Sequence, residues 1–319
     1  MPTTLIRVLV PGTSQRFRCG GLSVELQTAR LVSSLCEAEL VTYRERHQDH
    51  PFLDDLLNGE SPQRQVLWIV SWGFDVPALV RRLRGHRVAY HAHSSGYGFT
   101  LPPGVPVLAV SRNTLGYWGD RCPRNPLLLV PNAIEPAWLE RGARAGIEQR
   151  PIDVLVQARK SSRYVLRELV PALRSAGLQV EVQSGWVDDL VGLFNRSTVY
   201  LYDSAEYWRG RGVSEGFGLP PLEAMACGCV VFTSLNHALA DHCDPGRSAH
   251  QIGCGSLAHD LQRIQAAVAE PRRWRPPMAE LGALLQNSGE QRLLERWRQV
   301  LTDLDQLQLQ WQQSMIQNY

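Results

Sequence analysis

An α/β architecture built from two doubly wound domains is predicted by three observations. Short apolar runs of strand length alternate with helical stretches, the pattern of a parallel sheet covered on both faces. The alternation lapses once, across the polar segment 137–151, and then starts afresh. At roughly 150 residues per domain, the chain's 319 residues leave room for two. The 44% hydrophobic and 20% charged residues suit packed cores and exclude extended disorder.

The first strand is read at Leu5–Val10, where five of six residues are aliphatic. A polar loop, Pro11–Cys19, leads to the pair Gly20-Gly21 and a helix on which Leu22, Leu26, Ala29 and Val32 form one apolar stripe. Apolar runs at Leu67–Val70, Val88–Tyr90, Val107–Val110 and Leu127–Val130 are the further strands of this half. Residues 137–151, with Glu140, Arg141, Arg144, Glu148 and Arg150, read as a linker. Beyond it, strands are expected at Val154–Val156, Leu178–Val182, Thr198–Tyr202 and Cys229–Phe232, separated by helical stretches such as Tyr164–Ser175 and Pro220–Cys227. From Asn287 onward the chain is rich in glutamine, with Leu293, Leu294, Trp297, Val300, Leu301 and Leu304 at helical spacing. The expected organisation is a first domain over 1–140, a second over 151–285, and one or two terminal helices over 286–319, for which packing back on the first domain is one option.

The 33 basic and 31 acidic residues leave a net charge of +2, which makes no electrostatic case for nucleic acid. No run approaches the ~18–20 apolar residues of a membrane span, and the first ten residues lack the basic leader and apolar stretch of a signal peptide. The seven cysteines are odd in number and scattered, which fits reduced thiols better than a disulfide frame. The expectation is a cytoplasmic protein, with peripheral membrane contact left open. All but one of the basic residues are arginine, and the exception is Lys160.

The most informative stretch is Val213-Ser214-Glu215-Gly216-Phe217-Gly218-Leu219-Pro220-Pro221-Leu222-Glu223-Ala224-Met225-Ala226. Two glycines allow close backbone approach, and prolines stand where a helix takes its first turn. The free amides and positive dipole end of such a helix suit an anion. Two carboxylates eight apart, Glu215 and Glu223, flank it; carboxylates are poor phosphate ligands but good acceptors for sugar hydroxyls. The combination fits a ligand with an anionic centre and polyhydroxyl groups on either side.

Residues 215–226 resemble the hallmark of the retaining GT-B glycosyltransferases of glycosyltransferase family 4, a Glu, seven residues and a second Glu in a Gly-x-Gly-Leu-Pro-x-x-Glu-Ala-Met-Ala context. The resemblance extends along nearly the whole chain. Gly20-Gly21 is similar to the family's glycine pair, Ala89–His93 to the strand that ends in its active-site histidine, Val110-Ser111 to its strand-end serine, and Val130–Glu135 to its Pro-Asn-Gly-Val-Asp turn. Val154–Arg159 resembles the strand leading to a Gly-Arg pair that binds the donor diphosphate.

This resemblance implies two Rossmann-like domains facing across a cleft, the acceptor on the first and a nucleotide diphosphate sugar on the second. It also implies a role for each matching residue. Glu215 contacts the hydroxyls of the donor sugar, Glu223 the ribose, and the amides of Gly216, Phe217, Gly218 and Leu219 the sugar and phosphates. Arg159 neutralises the departing diphosphate, Gly20 and Gly21 help to bind the donor, and His93 faces the reacting sugar. His91 lies on the same face as His93 by alternation, so His93 is favoured by position alone. The chain departs from the family at Ala158, which replaces a glycine, and at Tyr164, which stands where a lysine follows the arginine. Lys160 and Arg163 are the two candidates to supply that charge. Ala133 and Glu135 replace the glycine and the aspartate of the turn.

No cofactor or metal is expected. Asp303-Leu304-Asp305 is the chain's D-x-D pair, and it falls in the terminal amphipathic helix. Cys227, Cys229, Cys243 and Cys254 lack zinc-knuckle spacing. Gly253–Ala258 formally fits a dinucleotide fingerprint but follows no clear strand. The leading expectation is a transferase moving a sugar, with retention, to a glycan, lipid-linked or small-molecule acceptor. The alternative is a non-catalytic nucleotide- or glycan-binding protein of the same fold.

Overall fold

The apolar runs form the strands of two parallel sheets in a computed structural model that describes residues 2–144, 150–253 and 256–317, with side chains as far as Gln310. The chain divides into two units, Met1–Asn132 with Glu290–Tyr319, and Ala133–Gly289.

In the first unit β1 (Leu5–Val10), β2 (Glu37–Thr42), β3 (Val66–Val70), β4 (Arg87–Ala92), β5 (Val107–Ala109) and β6 (Leu127–Leu129) lie in the order β2-β1-β3-β4-β5-β6. The central strands read as near-continuous aliphatic runs because both faces are covered; every residue of β3 is buried. Trp68, Tyr90 and Trp118 fill the core, with Tyr90 and Trp118 edge to face at 5.0 Å. The strand order reverses between β1 and β3, which opens a crevice outside the carboxyl ends of these strands. The loop after β1 emerges there, and it enters the helix Gly20–Val32. On that helix the predicted stripe is altered. Leu26 is exposed, while Glu25 is fully buried beside Leu22 and Ala29.

The chain's end forms one helix, Glu290–Gln317, within the first unit. It buries Leu293, Trp297, Val300, Leu301 and Leu304. Asp305 accepts hydrogen bonds from the Thr3 amide and hydroxyl, the latter at 2.6 Å, and pairs with Arg87 at 2.8 Å. Asp303 accepts from Gln299. Asp305 thus ties this helix to Thr3 and Arg87.

In the second unit β7 (Ile152–Gln157), β8 (Val180–Gln183), β9 (Ser197–Tyr202), β10 (Val230–Thr233) and β11 (His250–Gln251) lie in the order β11-β10-β9-β7-β8. Here the order reverses between β7 and β9, so Lys160, just past β7, stands beside Tyr202, the last residue of β9. The helix after β7 starts as a π-helical stretch, Val165–Leu169, and continues as Val170–Ser175. Pro171 has no N–H for the α ladder, and the turn before it widens.

The linker reading is corrected by packing. Pro136–Arg141 is a short helix with Trp138 buried edge to face against Phe194. Arg150 is 6% exposed, and its guanidinium donates to the carbonyls of Ser197 (2.7 Å), Ala143 (2.9 Å) and Cys227 (2.9 Å). Glu148 lies outside the described residues. Cys227, Cys229 and Cys243 are buried free thiols, and burial pushes Cys229 up to about 11. Cys254 and Gly255 of the fingerprint lie outside the described residues, and Ser256 caps the following helix, accepting from the His259 amide. Among the described residues no helix is long and apolar enough to cross a membrane.

Candidate functional site

The helix Leu219–Ala226 begins where the sequence places its prolines, and its cap is Gly218 at φ +85°. That left-handed conformation suits glycine, and a Cβ there would overlap Leu239. Pro220 and Pro221 have no N–H, so the amides this end can offer are those of Phe217, Gly218 and Leu219. None of the three is spent on a hydrogen bond among the described residues. They lie at the positive end of the helix dipole, where an anion is favoured by about 0.3–1 kcal/mol.

Glu215, 4% exposed, sits just before this cap. Its Oε2 accepts from the Tyr202 hydroxyl at 2.5 Å and from Trp208 Nε1 at 2.7 Å. Lys160 Nζ lies 3.6 Å from Oε1, donates to the Tyr202 hydroxyl at 3.2 Å and sits over the Trp208 ring at 4.8 Å. The carboxylate is therefore held rigid, with Oε1 facing the ammonium. Gly216 and Phe217 are buried behind it, and the Glu215 amide donates to His237 Nδ1 at 3.4 Å.

The three basic residues near β7 separate. Lys160 reaches Glu215. Arg163 turns away, its side chain 80% exposed and paired with Glu206 at 3.4 Å. Arg159 is exposed, one residue before Lys160, and makes no hydrogen bond or ion pair among the described residues.

Glu223 lies inside the first turns of the helix, half-buried and without a hydrogen-bond partner among the described residues. Burial, reinforced by the charge of Glu135, pushes its carboxyl up to about 8, against the opposing pull of Lys160. A carboxylate left without donors in this setting is one that a ligand's hydroxyl groups can satisfy. The site joins free amides, an ammonium and two carboxylates, the complement of a phosphorylated polyol.

Several contributors escape sequence reading. Tyr202 reads only as one more strand residue, whereas Trp208 falls in the loop Ser204–Val213, whose aromatic and arginine residues just before the motif suggest a part in choosing the substrates. His242 packs its ring on Phe217 at 5.3 Å, and its Nε2 donates to the Gly218 carbonyl at 3.1 Å. Burial lowers His242 to about 4, so the ring is neutral at pH 7. Leu235 and His237 adopt φ +49° and +52°, a strained turn against Glu215. Two non-glycine residues in that region could not be foreseen from composition.

In the first unit the sequence-predicted residues meet an unforeseen partner. Gly20 and Gly21 open the helix that carries Glu25. Glu25 Oε1 accepts from His91 Nδ1 at 2.9 Å and from His93 Nε2 at 2.6 Å. His91 is 1% exposed and Glu25 not at all, whereas the His93 side chain is 16% exposed. The three ligating atoms lie within 4.8 Å of one another. The carboxylate oxygen already stands at hydrogen-bond distance from both nitrogens, a geometry that protons satisfy without an ion. Ser111 serves as a helix cap, its Oγ accepting from the Thr114 amide at 3.1 Å.

Comparison with known proteins now bears on both units. Residues 170–249 match the family model "Glycosyl transferases group 1", a span that holds Glu215, Glu223 and the helix start between them. No curated protein sequence matches the chain. Among solved structures, Anabaena HepE in complex with UDP and glucose superposes with a TM-score of 0.65 at 13% identity, over 94% of this chain and 100% of that one. Sucrose-phosphate synthase from Thermosynechococcus elongatus gives 0.60 at 15% identity, over 98% and 100%. The pneumococcal O-GlcNAc transferase GtfA, in complex with UDP and GlcNAc, gives 0.55 at 12% identity over 79% of this chain, which spans 60% of that protein's length. At these identities the likeness shows the fold.

Proposed function

From a chain of GT-B fold whose second unit carries the signature of the group 1 glycosyl transferases, we propose an enzyme that moves a sugar from a nucleotide diphosphate donor to a hydroxyl of a glycan, lipid-linked or small-molecule acceptor, with retention of configuration. One observation carries the reading: free amides at the Gly218 cap, Lys160 and the unpartnered Glu223 converge on one helix start. The solved relatives bound to UDP or UDP-glucose support a nucleotide sugar as the guest.

The donor's diphosphate lies against the amides of Phe217, Gly218 and Leu219, with Arg159 and Lys160 balancing the charge that grows as the glycosidic bond breaks. Glu215, fixed by Tyr202 and Trp208, faces the transferred sugar and stabilises the positive charge developing on its ring. Glu223 takes the ribose hydroxyls. The departing phosphate oxygen accepts the proton of the attacking hydroxyl on the same face. This arrangement needs no metal, because the cationic clamp and the helix start do its electrostatic work. His93, on the first unit, supplies a ring nitrogen to a substrate hydroxyl, and Gly20 and Gly21 give close backbone approach.

The test is a thermal-shift panel of nucleoside diphosphates and nucleotide sugars, followed by donor turnover with the best ligand. At a hundred times its dissociation constant, a ligand adds about 2.7 kcal/mol, a visible shift. No shift with any nucleotide refutes the donor site. Binding without turnover, with hydrolysis included, favours the non-catalytic binder of the same fold.

A further inference from the structure

The buried triad Glu25, His91 and His93 is larger than a lone active-site histidine needs. Glu25 is one of the chain's most costly side chains to bury, a carboxylate with 0% exposure on a helix of apolar neighbours. Such a group is tolerated when hydrogen-bonded to charged or polar partners. Here one oxygen, Oε1, serves both imidazoles, at 2.9 and 2.6 Å. The rings of His91 and His93 lie 4.4 Å apart, and Trp297 meets His91 edge-on at 5.7 Å. Glu25 Oε2 and His91 Nε2 are buried without partners. His91 is therefore closed in on all sides, and His93 is the member that reaches solvent.

The tautomers follow from the acceptor. A carboxylate oxygen only accepts, so His91 must carry its proton on Nδ1 and His93 on Nε2. The Nδ1 of a neutral His93 is then a bare acceptor, the nitrogen that Glu25 leaves free. Burial and the neighbouring His91 lower His93, which keeps it neutral at pH 7, while Glu25 pulls the other way. Both histidines hold Glu25 far below the usual carboxylate range, so it stays ionised. Glu25 and His91 are the titratable groups acting on His93.

We propose that Glu25 is a positioning residue for the reaction: it fixes His93 in the Nε2–H tautomer, so that Nδ1 accepts a hydrogen bond from a substrate hydroxyl bound at the first unit, and His91 serves to orient and ionise Glu25. This rests on the glycosyl-transfer reading for the identity of the hydroxyl. The tautomer itself does not depend on that reading. No proton changes hands; the triad sets which ring nitrogen offers a lone pair, the outer-partner control of imidazole chemistry that carboxylates exert elsewhere.

The experiment uses the full chain labelled with ¹⁵N-histidine, as wild type, Glu25→Gln and His91→Gln. Long-range ¹H–¹⁵N spectra at pH 7 should show His93 protonated at Nε2 and bare at Nδ1, with that preference lost in Glu25→Gln. Turnover by Glu25→Gln should fall at least tenfold in kcat/KM. Its acid limb should move to lower pH, because the carboxylate that favours imidazole protonation is gone. Affinity for UDP, a property of the second unit, should be unchanged, and a retained cooperative melting transition with dispersed signals of His91 and His93 reports that the first unit is folded. An Nδ1–H tautomer or an imidazolium at His93 in the wild type overturns the proposal. So does an unaltered kcat/KM and pH profile in folded Glu25→Gln, or an equivalent of zinc retained through dialysis and lost in His91→Gln, which would make the three residues ligands. If no nucleotide sugar turns over in the wild type, the glycosyl-transfer reading fails while the spectra still decide the tautomer.

Discussion

Glu223 offers a prediction that isolates one ionisation. Its carboxyl is pushed up to about 8 by burial and by Glu135, with no hydrogen bond donated to it by any described residue. At pH 7 most of it is protonated in the free protein. Ribose hydroxyls donate more strongly to the charged carboxylate than to the neutral acid, so donor binding should draw the proton off. Two hydroxyl bonds of about 1.5 kcal/mol each, at 1.36 kcal/mol per pKa unit, would lower the bound carboxyl by about two units, to roughly 6. Linkage then makes donor affinity scale as (1 + 10^(pH−6))/(1 + 10^(pH−8)), a rise of about 25-fold between pH 6 and pH 8. Calorimetry with an intact nucleotide sugar is the assay, because a diphosphate diester does not titrate in this range. Two buffers of different ionisation enthalpy should report about one proton released near pH 7. Glu223→Gln should bind more weakly at pH 8 and lose most of the pH dependence. The same group makes a ligand-free prediction. An acid whose folded pKa is raised keeps full stability below its unfolded pKa, and stability falls as pH rises toward the folded value. The melting temperature of Glu223→Gln should therefore gain on that of wild type from pH 5 to pH 8. A wild-type affinity that is flat or falls with pH, together with a pH-independent melting difference, refutes the reasoning.

Glu215→Gln keeps the shape and one acceptor oxygen but loses the charge facing Lys160; kcat should drop with donor affinity little changed, and equal KM effects with normal kcat would make it a binding residue only. Gly218→Ala must place a Cβ at φ +85° against Leu239, a conformational cost of about 1–2 kcal/mol before the overlap; differential scanning calorimetry should show a lower melting temperature, and nucleotide affinity should fall with it. Arg159→Ala removes an exposed guanidinium and should weaken nucleotide binding by roughly ten- to a hundredfold, a charge-assisted bond of about 1.5–3 kcal/mol, while thermal stability stays level; unchanged affinity removes it from the site. Activity should persist in excess EDTA, and loss restored by Mg²⁺ or Mn²⁺ would show the cationic clamp to be insufficient.

The parts of this molecule that can be read from its sequence are those defined by what the backbone and the apolar effect require locally. The central strands β1, β3 and β7 are largely aliphatic runs, and β9 a wholly buried β-branched and aromatic one, because both faces are covered, so the α/β class and its doubly wound pattern follow. Gly218 and the two prolines announce a helix start because few other residues tolerate those positions. The strands that escape reading are both sheet edges. β2 runs Glu-Ala-Glu-Leu-Val-Thr with its first residue exposed, and β11 has two residues, His250 and Gln251. An edge strand has one neighbour and a wet side, so the aliphatic signal that identifies a central strand is diluted there. The candidate site divides by the same physics. The Glu215–Ala226 string was legible because close backbone approach and a helix cap dictate its glycines and prolines. Glu25 was not, since a glutamate within a helical stripe looks like an interruption until its partners, 66 and 68 residues further on, are brought to it. Between Lys160 and Arg163 no spacing rule could choose, because both follow the end of β7 within six residues. The choice is made by what waits for each: Glu206 for the arginine, and for the lysine a carboxylate already held by Tyr202 and Trp208. A long flexible side chain takes its role from the partner that tertiary structure brings within reach, and the partner of Lys160 is assembled from β9 and the helix Ala205–Arg209, more than forty residues away in sequence.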